Sequence, residues 1–140
     1  AAVGAHADQR LGDVEVVLHL ATIAAARSDA SATALAAADT LQVIQVPAGM
    51  LMLAGGLNVV EAEVTNTTAT FDLGCTGGSP IAANAFANDI ASNALSVNST
   101  GLAAPVLFSS ADTIDLLLNT AAPTNCVLKV WALFFDATAS

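Results

Sequence analysis

Few side chains in this 140-residue chain have types and spacings that could do chemistry. Nucleophilic catalysis needs a Ser or Cys beside a base, usually His, and the two histidines are His6 and His19. His6 falls in an N-terminal stretch without periodicity. His19 sits between Leu18 and Leu20 in a strand-like run, a setting for a packed or interface imidazole, since catalytic bases come preferentially from loops. Cys75 and Cys126 are isolated thiols outside any CxxC pair and are expected to be small buried apolar groups. A disulfide between them would require neighbouring strands. Zinc needs several converging His or Cys side chains, and neither that spacing nor a GxSxG or HExxH signature occurs.

Paired carboxylates are the remaining option. Glu61 and Glu63 are expected on one wet strand face, about 6 to 7 Å apart at Cβ, and Asp112 and Asp115 flank a strand start. A glycosidase would set two carboxyls across a cleft commonly lined with aromatics. Aromatics make up only 4% of the chain, with no tyrosine and one tryptophan, so enzyme activity is not expected. Calcium has carboxylates available but no EF-hand spacing. Asn66-Thr67-Thr68 and Asn98-Ser99-Thr100 match the glycosylation triplet, which matters only in a secreted chain. No catalytic, cofactor-binding or metal-binding residue is assigned, and no cofactor is expected.

The elements that would position such groups follow from composition and periodicity. The length suits one domain, and 55% apolar residues against 11% charged exclude disorder of the polar, highly charged kind. Arg10, Arg27 and Lys129 face twelve carboxylates, giving a net charge of -9; nucleic-acid binding, which needs clustered cations, is excluded. Alanine fills 32 positions, more than one core can hold, so an uncovered monomer would show wide apolar patches. A homo-oligomer, or a subunit docked on a larger assembly, is the expected state. Residues 1–10 lack the basic start and apolar run of a secretory leader, and an initial Ala suits a cytosolic product. The uncharged run from Thr40 to Val60 is long enough to span a bilayer, but its Gln, Pro, Gly and Asn residues and strand-like alternation argue against a membrane segment.

Periodicity of two prevails. Val14 to Leu20 reads as a strand extending to about Ala25, followed by a polar turn over Arg27 to Ser31. Leu41 to Val46 is a strand stopped by Pro47-Ala48-Gly49, where proline ends the ladder and glycine permits a positive φ. Met50 to Leu53 resumes, and Gly55-Gly56 marks a bend or bulge. Leu57 to Val64 and Thr67 to Leu73 are strands joined by a short hairpin at Thr65-Asn66, with Ala69, Phe71 and Leu73 facing inward. Gly74 to Pro80 is a loop, a short helix is expected near Asn84 to Asn93, and strand returns at Val106 to Phe108. Ile114, Leu116 and Leu118 share one face of the next strand. The last strand, Cys126 to Phe135, is apolar on both sides and so central and covered twice, by the facing sheet and by something outside it. Ala38-Asp39-Thr40-Leu41 and Ala111-Asp112-Thr113-Ile114 echo one another as strand starts, the carboxylate accepting a backbone N–H. These elements fit an antiparallel β-sandwich of about eight strands.

The runs Ala38 to Leu53, Ala111 to Leu116 and Val127 to Leu133, with the Pro-Ala-Gly turn, the Gly- and Asn-rich middle and the closing apolar strand with its Trp, resemble small virion structural proteins of tailed bacteriophages, the capsid decoration or cement proteins. The resemblance covers roughly the last hundred residues. It implies a jelly-roll sandwich over 13–140 with an extended N-terminal arm over 1–12, no enzyme activity, a homotrimer bound to the major capsid protein on the outer surface of the virion, and stabilisation of contacts between capsomers. An alternative within the same setting is a fibre or knob module that binds a host glycan or receptor.

Overall fold

The computed structural model describes residues 11–19 and 35–137, the former for their backbone alone. Among these residues eight strands build the fold: β1 (Leu11–His19), β2 (Thr40–Val46), β3 (Met50–Glu61), β4 (Thr70–Gly74), β5 (Ala87–Ala91), β6 (Ser96–Phe108), β7 (Asp112–Asn119) and β8 (Val127–Asp136). They form two four-stranded antiparallel sheets, ordered β1-β8-β3-β6 and β2-β7-β4-β5. Chain-adjacent strands lie in different sheets everywhere except β4 and β5, which is the wound double Greek key of a jelly roll. The expected all-β sandwich is therefore present. Of the expected arm, Leu11 and Gly12 lie at the start of β1; the rest, with the strand extension and polar turn assigned to 20–34, falls outside the described residues.

Alternating side chains set the core. Phe71 and Leu73 from β4, Ile114, Leu116 and Leu118 from β7, and Leu128, Val130 and Ala132 from β8 are fully buried, together with Ala69 just before β4. They meet Met52, Leu57 and Val59 of β3 between the sheets. β8 is an inner strand, paired with β1 on one side and β3 on the other. Pro47-Ala48-Gly49 does not fold β2 back on itself but carries the chain to the other sheet. Gly49 takes φ 92° there, and its N–H donates to the Phe108 carbonyl at 2.7 Å. The two echoed strand starts, Asp39-Thr40 and Asp112-Thr113, introduce β2 and β7, which are hydrogen-bonded neighbours. Each aspartate accepts a main-chain N–H, from Ala36 (2.9 Å) and Thr113 (2.7 Å) respectively.

Several sequence expectations are overturned. Thr65-Asn66 is not a hairpin turn, because the strands it joins belong to different sheets. Gly55-Gly56 does not break the chain: β3 runs unbroken from Met50 to Glu61, and its register shifts lie to either side of the pair, between Met52 and Ala54 and, against β8, between Val59 and Glu61. The glycines are there for close approach, since the Phe86 ring crosses Gly55 and Trp131 crosses Gly56. No helix forms over Asn84 to Asn93. Phe86, only 1% exposed, is drawn into the core, and Ala87–Ala91 pairs with β4 as strand β5. Asn and Asp are weak helix formers, and main-chain pairing to a sheet outweighs them. β6 extends over 13 residues where only its last three were legible. It is an edge strand with mostly exposed side chains, so apolar alternation is faint.

Candidate functional site

The end of β3 holds the most heavily hydrogen-bonded side chain. Beyond Glu61 the chain leaves the strand and Glu63 turns inward, 2% exposed, while Glu61 stays exposed. The expected wet pair on one face is thus absent. Glu63 Oε1 accepts the successive N–H groups of Thr124 (2.8 Å), Asn125 (2.9 Å) and Cys126 (3.1 Å). Oε2 accepts those of Thr65 (3.2 Å) and Asn66 (3.1 Å), plus the Thr124 hydroxyl at 3.2 Å. Consecutive amides aimed at one point form a small anion nest, and here the chain supplies its own anion. Around it, Asn125 Oδ1 accepts from Val64 N at 2.9 Å, and the Glu63 N–H donates to the Ser92 carbonyl at 2.8 Å. Two connections, β3–β4 and β7–β8, are tied at this carboxylate, and the Glu63 main chain holds a third, β5–β6. Burial by itself pushes the Glu63 carboxyl up; the N–H groups of Asn125, Asn66, Thr124 and Cys126 outweigh it and hold the pKa at about 2.

A second buried carboxylate closes the opposite sheet. Asp115, 6% exposed, lies in β7 between the core residues Ile114 and Leu116 on the strand's other face, where the Thr76–Gly78 turn covers it. Its Oδ2 accepts the N–H (3.0 Å) and the hydroxyl of Thr76, and its Oδ1 accepts the Thr113 hydroxyl at 2.6 Å. An open groove of about 650 Å³ borders it, lined by Thr40, Gln42, Thr76, Asp112 and Thr113 among others. Asp115 accepts from both the main chain and the hydroxyl of Thr76, so it fastens the turn over the sheet. Asp115→Asn should cost about 1 to 2 kcal/mol through loss of charge-assisted acceptors. A lower urea midpoint at unchanged m would register this; an unmoved midpoint would refute it.

The remaining candidates do not converge. Cys75 and Cys126 are free and buried. Burial pushes the Cys75 thiol up to about 11, with the charges of Asp112 and Asp115 adding to it; burial pushes Cys126 up to about 12, with Glu63 adding. Such thiols are poor nucleophiles. Among the described residues no group of three or more His, Cys, Asp or Glu is placed to hold a metal. His6 and the side chain of His19 lie outside the described residues. Both glycosylation-triplet asparagines are engaged: the Asn66 amide donates to the Ala122 carbonyl and the Asn98 amide to the Leu57 carbonyl at 3.0 Å. Among the described residues no helix is long and apolar enough to cross a membrane.

The two outer surfaces differ in kind. On the β8-β3-β6 part of the first sheet, register places Leu107, Leu51 and Phe135 in one row, Ser99, Gly56 and Trp131 in another, and Val97, Asn58 and Lys129 in a third. Trp131, Leu133 and Phe135 are half-buried there. The second sheet carries carboxylates on its outer side. Asp72 accepts the Asp89 N–H at 2.8 Å, and Asp89 in turn accepts from Thr70 (3.3 Å) and Asn119 (3.4 Å). No aromatic side chain is exposed: Phe71, Phe86 and Phe108 are buried, and Trp131, Phe134 and Phe135 half-buried. Sequence reasoning missed the buried roles of Glu63 and Asp115, because half or more of their donors, Thr124 to Cys126 and Thr76 respectively, arrive from loops distant in the chain.

No protein-family model and no curated protein matches this sequence. Solved structures do share the fold. A chain of the acidic stable capsid structure of Helicobacter pylori bacteriophage KHP30 superposes with a TM-score of 0.54 at 14% identity, over 89% of this chain and 86% of that one. A chain of the cyanophage Pam1 capsid asymmetric unit gives a TM-score of 0.54 at 17% identity, over 91% of this chain and 84% of that one. At such identities the likeness is one of fold.

Proposed function

We propose that this chain is a structural protein of a bacteriophage virion, acting as a capsid decoration or cement protein. It binds the outside of the head as a homotrimer and adds contacts between capsomers of the major capsid protein. The observation that carries this reading is the end-to-end match of its jelly roll to chains of two phage capsid structures. The surface supports it: one sheet presents an apolar outer side suited to burial, and the other keeps carboxylates that oppose aggregation before assembly. The role is non-enzymatic, and binding stabilises the shell because it adds free energy to the assembled state alone.

A fibre or knob module that reads a host glycan would need aromatic platforms in its loops, and the aromatics instead sit in or under the sheets. The deciding experiment is light scattering after size exclusion, then co-sedimentation with phage heads that lack this chain. The expected result is a small soluble oligomer that binds heads saturably and raises their resistance to heat and osmotic shock. Particles formed by the chain alone would make it a shell subunit, and indifference to heads with binding to a glycan array would favour the appendage alternative; either overturns the cement reading.

A further inference from the structure

We draw no further inference here: the strongest candidate, the open groove on the second sheet between β2, β7 and the Thr76–Gly78 turn, holds two carboxylates, Asp112 and Asp115, that accept from Thr113 and Thr76 of this chain, and nothing in the structure shows what covers it.

Discussion

Glu63→Ala should be the most damaging single truncation outside the hydrophobic core, lowering stability by about 3 to 5 kcal/mol. Five main-chain N–H groups and one hydroxyl converge on this carboxylate, and removing it leaves the buried Cys126 N–H and its part-buried neighbours with no acceptor, each unsatisfied group costing about 1 to 3 kcal/mol where water cannot replace the lost bond. Glu63→Gln keeps the shape but turns an NH₂ toward N–H donors and should fall between wild type and alanine. The pH dependence is specific. The folded carboxyl titrates at about 2 against an ordinary 4.5, so its contribution is complete above about 4.5 and is lost as pH falls toward about 2. By linkage the ceiling on that contribution is about 3 kcal/mol. Urea unfolding of wild type and Glu63→Gln from pH 6 to pH 2 measures it: the stability gap should close as pH falls. Parallel curves across that window would show that the carboxylate's charge is not what fastens the β3–β4 and β7–β8 connections.

Gly56→Ala is the second large effect, at about 3 kcal/mol, with Gly55→Ala close behind. Their causes differ and can be separated. A Cβ at Gly56 would lie 2.3 Å from the Asn98 carbonyl oxygen and 2.4 Å from Trp131 Nε1. Part of that obstacle is main chain in a paired strand, which yields only if β6 moves. The nearest atoms to a Cβ at Gly55 all belong to the Phe86 ring, the first at 2.5 Å. Overpacking of this kind costs about 1 to 3 kcal/mol. Adding Phe86→Leu to Gly55→Ala should therefore recover part of the loss, whereas adding Trp131→Ala to Gly56→Ala should not. Thermal midpoints of the two double variants decide this, and equal recovery in both would refute the assigned obstacles.

Much of the architecture is readable from local alternation. Ala69, Phe71 and Leu73, and then Ile114, Leu116 and Leu118, declare their buried face because a pleated strand reverses side every residue. The two-sided apolar run from Val127 to Phe135 likewise announces an inner strand. β5 and β6 are hidden because an edge strand packs little and its small, polar side chains carry no period. Their strand state comes from hydrogen bonds to β4 and β3, partners that no local window contains. The glycine pair misleads for a related reason: glycine marks both bends and close approaches, and here a ring from Phe86 and an indole from Trp131 demand the second.

Composition and alternation alone determine that this chain is an all-β sandwich, since that follows from how many side chains are apolar and which way each faces. The tertiary structure alone decides which carboxylates leave water and which strands lie at the sheet edges. Glu63 resembles Glu61 in sequence, yet it is buried because loop amides some sixty positions away converge on it. The solvation of a charge, like the pairing of an edge, is set by neighbours that only the folded chain brings together.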